Sequence, residues 1–331
     1  MLILIPTVSN NKAGDDKGGV PAVEGHRASN AGYVRLHHSG ELAVRAQALK
    51  NRLRKCVICP HHCGVDRLAG ERGLCKTGYH PVVASYGPHF GEEEFLVGTK
   101  GSGTVFFSYC VMRCVFCQNY AISQLGEGKE VDIDTLAEIM LSLQGRGCHN
   151  INLVSPSHVV PQIVEAVTEA VKRGLKVPLV YNTGGYDDVE TLKLLEGIVD
   201  IYMPDLKFAD NEKARRYTGC RSYFDIAKKA IKEMHRQVGD LELDGQGIAV
   251  KGLIVRHLVM PNDVADSEKV LEFLAHEISP NTVVNVMAQY YPAFKAVAYP
   301  EISRRISRQE YLRVVEVARG LSLHRALLSR W

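Results

Sequence analysis

Nine cysteines stand in this 331-residue chain, and seven of them fall into two clusters. Cys110, Cys114 and Cys117 make a C-x3-C-x2-C run, while Cys56, Cys59, Cys63 and Cys75 make a C-x2-C-x3-C-x11-C run. A reducing compartment keeps thiols apart, so in a chain without an export signal such spacings point to metal ligation and not to a disulfide framework. The triplet supplies three ligands, not four. Thiolates hold iron–sulfur clusters, and a 4Fe-4S cluster with three protein cysteines leaves one iron open to another ligand. An open iron is a place for catalysis. A zinc site would be expected to bring a fourth Cys or His nearby, and a ferredoxin run has four cysteines at a different spacing. The amino-terminal four are enough for either tetrahedral zinc or a second iron–sulfur cluster, with His61 and His62 as spare ligands, and the spacing leaves both open. Cys148 and Cys220 have no spacing partner and read as small buried hydrophobes.

These residues must be positioned by the elements around them. From about residue 101 the chain alternates short β-rich runs with helix-period runs, the pattern of repeated βα units around a parallel sheet. Strands are predicted at 104–108, 150–154, 178–182, 198–204, 251–259 and 282–288, nearly continuous apolar stretches suited to burial on both faces. Between them, Leu136, Ile139, Met140 and Leu143 follow the i, i+3, i+4, i+7 rule, and Ile226, Ala230, Ile231 and Met234 make a similar stripe. Pro161 opens and Gly174 closes a third helical run. Periodicity leaves both a doubly wound sheet and an incomplete barrel open, and in either one the chemistry belongs at the carboxyl ends of the strands. Cys110 follows directly on the first of them.

Three stretches are expected. Residues 1–32, rich in Gly, Asn, Asp and Lys without a hydrophobic period, read as a flexible tail. Residues 33–100 hold a basic amphipathic helix at about 40–55 and the cysteine-rich metal-binding segment, and 101–331 hold the βα units. Forty Lys and Arg against 37 Asp and Glu leave a net charge of +3, too weak to argue for nucleic acid or an anionic membrane. No apolar run reaches the length of a membrane span, and the opening MLILIP lacks the basic start and full apolar stretch of a signal peptide. A cytoplasmic location is expected, without nucleic-acid or membrane partners.

The triplet lies in FFSYCVMRCVFCQNY, after a predicted strand and with Phe116 just before the last cysteine. There the chain resembles the radical S-adenosylmethionine (radical SAM) superfamily, whose hallmark is C-x3-C-x-aromatic-C in the loop after the first barrel strand. The resemblance implies an α/β fold: an incomplete (βα)6 TIM-like barrel, here with an N-terminal cysteine-rich extension. It implies a 4Fe-4S cluster on Cys110, Cys114 and Cys117, with S-adenosylmethionine chelated at the open iron. It further implies an electron donor such as flavodoxin or ferredoxin, and cleavage of the sulfonium to a 5′-deoxyadenosyl radical that abstracts hydrogen.

Longer runs, among them CVICPHHCGVDRLAGERGLC, GCHNINLVSPSHVVPQI, VYNTGGYD and VDIYMPDLKF, resemble the pyruvate formate-lyase-activating-enzyme-like branch of that superfamily, from about residue 33 to 315. Activating enzymes place a Gly-Gly-Glu-like motif after the second strand to bind the methionine amino group. Ser155, Pro156, Ser157 and His158 stand there instead, as hydroxyl and imidazole acceptors or as a turn and helix cap. The resemblance places Asn182 and Thr183 at the ribose or methionine of the cofactor, and Asp205 and Lys207 facing the pocket or pairing at its rim. Arg256, beside His257, would pair the methionine carboxylate; Gln289 and Tyr290 would line the pocket or cap it. In activating enzymes, extra clusters follow the radical motif, whereas these four cysteines precede it. Three functions are therefore carried forward: activation of a protein by a glycyl radical, radical modification of a peptide or metabolite with the amino-terminal site auxiliary, and an electron-transfer or metal-binding module.

Overall fold

The computed structural model describes residues 31–329. Most of the stretch read as a tail, 1–30, lies outside the described residues; Ala31 is buried and Gly32 opens the first helix, Gly32–His38. Ten strands form one sheet: β1 Val82–His89, β2 Ser102–Phe107, β3 Lys129–Glu130, β4 Ile151–Val154, β5 Leu179–Thr183, β6 Ile201–Pro204, β7 Glu242–Leu243, β8 Ala249–Leu258, β9 Val283–Met287 and β10 Ala326–Leu328. Their order is β10-β9-β8-β6-β5-β4-β2-β1-β3, with β7 paired to β8.

Strands β2, β4, β5, β6, β8 and β9 are the six parallel strands expected, and they lie side by side in chain order. A doubly wound sheet reverses its strand order at a switch point; this one never does. The sequential order, with β3 and β10 left as free ends, is that of a partial barrel. Burial on both sides explains the apolar runs: β6 is buried throughout, and β2, β4 and β5 nearly so. The sequence did not show β1, which runs antiparallel to β2 and brings the cysteine-rich segment into the same sheet.

Helices cover the sheet where predicted. In Ile133–Gly145 the striped Leu136, Ile139, Met140 and Leu143 are all buried, and the Asp132 carboxylate accepts the Thr135 N–H as a cap. Val160–Lys172 has Pro161 in its first turn, and Tyr223–Val238 buries Ala230, Ile231 and Met234. The amino-terminal helix Glu41–Asn51 packs on Val160–Lys172, with Leu42 and Leu49 fully buried and Lys50 paired to Glu165 at 2.8 Å. No described helix is long and apolar enough to cross a membrane.

Candidate functional site

Strand β2 ends at Phe107, and the chain leaves it through Tyr109, whose φ of 66° is rare for a bulky residue. That left-handed step turns the cysteine loop away from the strand line. Ser155, after β4, makes a similar step at φ 58°. The loop is then pinned by backbone bonds from Arg113 N–H to Thr218 O (2.7 Å), Val115 N–H to Tyr217 O (2.8 Å) and Lys295 N–H to Val115 O (2.8 Å). Phe116 turns inward, its ring 6.0 Å from Phe208 and 6.1 Å from Tyr290. Its side chain is an anchor in the core.

Cys110, Cys114 and Cys117 are free thiols, Cys114 buried and the other two half-buried. The Met112 N–H points at the Cys110 sulfur (3.4 Å), and Ser123 Oγ lies 3.1 Å from the Cys117 sulfur. The Ser155 hydroxyl bonds to Cys110. Burial pushes the Cys110 thiol up to about 11 and Cys114 well above its ordinary range. Against that stands Lys207, whose ammonium favours the thiolate at both. Burial works against the Lys207 charge as well, but its pair with Asp205 and the nearby thiols outweigh it, and its pKa lies above the usual lysine range. Gly184 lets the β5 loop close on this group, because a Cβ there would strike the Met112 sulfur.

Other residues singled out from the sequence are placed as follows. Ser157 and Thr183 are buried and bonded to each other at 3.0 Å, and Thr183 donates to Asp187 at 2.6 Å. Tyr181 donates to the same carboxylate at 2.9 Å, and burial raises the pKa of Asp187 above its ordinary range. His158 is buried with Nε2 2.9 Å from Ser108 O; burial, aided by Arg67, lowers its pKa to about 3, so it is neutral. The half-buried Asn182 side chain makes no hydrogen bond among the described residues.

Arg256 requires a revised reading. Its guanidinium is held by Glu92 and, through Nε (2.9 Å) and Nη2 (2.6 Å), by Glu93, which also accepts from Asn285 at 2.8 Å. A methionine carboxylate would have to displace a bidentate partner already in place. Its neighbour His257 is also engaged, with Leu206 O at 2.7 Å and Ser267 Oγ at 2.9 Å. Tyr290 donates to Ile302 O at 2.7 Å and belongs to the packing around Phe116, while Gln289 Nε2 meets the Met287 sulfur.

Two side chains important here carried no sequence signal. Arg67, fully buried, gives Nη1 to His158 O (2.7 Å) and both Nε and Nη2 to Gly78 O. Arg67 lies inside the first cysteine run without being a ligand type, and Glu93 lies outside every motif. Asp187 does lie in the run VYNTGGYD, four residues past the end of β5. Cys56, Cys59 and Cys75 are buried and Cys63 half-buried; none is in a disulfide. Among the described residues neither cysteine set is drawn around a single metal-holding point. What fits a cluster at the triplet is the donor set: three free thiols on one loop, with N–H and hydroxyl groups at their sulfurs and an ammonium charge nearby.

The radical SAM superfamily model matches residues 104–243, from β2 through β7. The uncharacterized protein MJ0674 of Methanocaldococcus jannaschii is 34% identical over 292 residues, 85% of this chain and 79% of the relative. This chain belongs to the radical SAM superfamily, which implies a 4Fe-4S cluster and S-adenosylmethionine. A second protein of that organism, MJ0808, is 23% identical over 302 residues, 83% of this chain and 84% of the relative. Among solved structures, methylornithine synthase (PylB) aligns at a TM-score of 0.46 with 17% identity, over 92% of this chain and 76% of that one. HydG, a maturase of the FeFe-hydrogenase, aligns at 0.46 with 15% identity, over 67% of this chain and 50% of that one.

Proposed function

We propose that this protein holds a 4Fe-4S cluster on Cys110, Cys114 and Cys117 and uses it to cleave S-adenosylmethionine reductively. The observation that carries the reading is the placement of three free thiols beside the half-buried Lys207 ammonium, at the carboxyl end of the first parallel strand. When bound, the cluster supplies the electron that breaks the sulfonium C–S bond, giving methionine and a 5′-deoxyadenosyl radical able to abstract substrate hydrogen. Cys110, Cys114 and Cys117 ligate it as thiolates. Lys207, the Met112 N–H and the Ser155 and Ser123 hydroxyls offset the negative charge gathered on those sulfurs. Asn182, with its amide uncommitted at the end of β5, and the Ser155 hydroxyl are the groups placed to bind the cofactor. Asp187 holds Thr183 and Ser157 in place behind them. A one-electron donor such as flavodoxin or ferredoxin supplies the reductant.

For the substrate, radical modification of a peptide side chain or small metabolite is the better-supported reading, with glycyl-radical activation of a protein second. Ser157 and His158, standing where activating enzymes carry Gly-Gly-Glu, are committed to internal hydrogen bonds. The four amino-terminal cysteines add a second metal or iron–sulfur centre upstream of the triplet. We also read residues 33–100 as an extension wrapped on the barrel of 101–331.

The test is anaerobic reconstitution with iron and sulfide, reduction, and measurement of 5′-deoxyadenosine from S-adenosylmethionine, in wild type and in Cys114→Ala. Wild type is expected to form the product; the variant loses the signal of a three-cysteine cluster and at least a hundredfold of the activity, by roughly 3 kcal/mol or more of lost transition-state stabilisation. No 5′-deoxyadenosine from the reduced wild type would leave only the metal-binding or electron-transfer module, and a spectrum unchanged by the substitution with cleavage intact would overturn the role of the triplet. A glycyl radical seen on a co-purified partner would move activation to first place.

A further inference from the structure

Between residues 52 and 80 the chain has one 3-10 turn, Arg67–Ala69, as its regular structure. Its apolar cluster has only Leu53, Cys56 and Ile58 as buried members. A segment with so small a core is usually stapled by a disulfide or a metal. Here the four cysteines are free of disulfides and three of them are buried, and the Cys59 thiol feels the charge of Cys75, Cys56 and Cys63. Backbone N–H groups meet two of the sulfurs, Ile58 at Cys56 and His61 at Cys59, and the Arg67 side chain also bonds to Cys56. Bonds from Cys56 N–H to Val65 O (2.9 Å) and from Gly64 N–H to Cys56 O (3.0 Å) close the turn. Gly73 lies so near that a Cβ there would sit 2.5 Å from the Cys63 sulfur.

This knuckle is bonded to the triplet loop in both directions. His61, between Cys59 and Cys63, donates Nε2–H to Val111 O at 2.7 Å. Arg113, between Cys110 and Cys114, donates Nη2–H to Leu74 O at 2.6 Å, immediately before Cys75. Each cysteine loop thus grips the main chain of the other.

We infer that Cys56, Cys59, Cys63 and Cys75 form a closed centre for a thiophilic metal, zinc or an iron–sulfur cluster, whose occupancy fixes the loop carrying Cys110, Cys114 and Cys117. The inference rests on the reading of these four as a second metal site. Four protein thiolates leave no open position, so the centre binds no substrate. Its work is mechanical: it holds His61 and Leu74 where the catalytic loop meets them.

The metal is tested in the full chain with all three triplet cysteines changed to Ala, purified anaerobically and assayed for zinc, iron and labile sulfide. About one zinc per chain without sulfide supports a zinc centre, and about four iron with matching sulfide supports a cluster. A metal-free chain overturns the second site. Should that variant not fold, reconstituted wild type serves: zinc, or iron beyond one cluster, supports the site, and a single cluster with no other metal overturns it. The coupling is read by hydrogen exchange at the amides of residues 111–117, in wild type, in Cys63→Ala and in His61→Ala. The last keeps all seven thiols, so it reads the clamp even where Cys63→Ala fails to fold. Exchange roughly tenfold faster in His61→Ala is expected from the loss of one partly buried hydrogen bond. Unchanged exchange with the metal still present would overturn the clamp and leave the metal site standing.

Discussion

Lys207 brings a half-buried ammonium that favours the charged form of the Cys110 and Cys114 thiols, so its charge bears directly on any cluster they hold. Reduction adds negative charge to a cluster, and a nearby cation stabilises the reduced form. Lys207→Met is therefore expected to make the midpoint potential more negative, and Asp205→Asn, which unmasks the ammonium, to make it less so; each shift is roughly tens of millivolts in a redox titration. Shifts of the same sign would show that the pair acts through structure and not charge. His158 gives a second prediction. Its folded pKa of about 3 lies below the ordinary histidine value, so the unfolded chain binds the extra proton between them. The stability it contributes is fully present above pH ~6.5 and is lost as pH falls toward 3, roughly 3–5 kcal/mol across the window. His158→Gln, which can still donate to Ser108 O, should flatten that decline, as measured by urea unfolding of the metal-free chain at pH 7.5 and 5. An equal decline in both proteins would rule it out. The cysteine triplet and the Asp205–Lys207 pair were legible in the sequence because each lies within a short run after a strand. Arg67 and Glu93 were not, since their partners Gly78, His158 and Arg256 meet them only through the fold.

The six parallel strands were legible because burial on both faces leaves each an unbroken apolar run. Strand β1 was not: VVASYGPH mixes polar residues, a glycine and a proline, and much of it is only half-buried. Strand β10, three half-buried residues, gave no pattern either. Strand order was beyond the reach of periodicity, yet it decides the architecture. At this scale the loop after β1 is joined to β8 and β9 by Glu93, Arg256 and Asn285. Burial works against the Glu93 charge, and the Arg256 guanidinium overcomes it, holding the carboxyl below its ordinary range. Removing the guanidinium strands two carboxylates, Glu92 and Glu93. Arg256→Met is expected to destabilise by about 3–5 kcal/mol, and the triple variant Glu92→Gln, Glu93→Leu with Arg256→Met by less, because no unpaired charge is left behind. Chemical denaturation of the three proteins checks this. A triple variant at least as damaged as Arg256→Met would show that packing, not the ion pair, dominates there.

For the whole molecule, the amino-terminal helices and the barrel share the main core cluster. Tyr33, Leu42 and Leu49 belong to the same apolar cluster as Ile163, Leu179 and Leu195. The extension also satisfies polar groups of the barrel: Gly32 N–H donates to Asp200 at 2.9 Å, Tyr33 to Val177 O at 2.8 Å, and both Lys50 and Tyr79 to Glu165. Each fully buried large apolar side chain is worth about 1.5–3 kcal/mol. Several of them together match the roughly 5–15 kcal/mol by which a domain is stable. A chain beginning at Pro81 would also leave His158 O without the Arg67 guanidinium and Asp200 with one backbone donor instead of two. Burial already lifts the Asp200 carboxyl to about 6, and losing the Gly32 N–H makes its charge costlier still at neutral pH. The shortened chain is therefore expected to be insoluble or to unfold without a cooperative transition. Within the full chain, Tyr33→Ala, which removes one such contact at the same junction, should cost about 3–5 kcal/mol. Differential scanning calorimetry distinguishes the outcomes. If the shortened chain melts cooperatively within a few degrees of the full one, the barrel is self-sufficient and the extension serves only its metal centre. If both lose stability as expected, every radical reaction of this protein takes place in a barrel that the amino-terminal segment helps to hold folded.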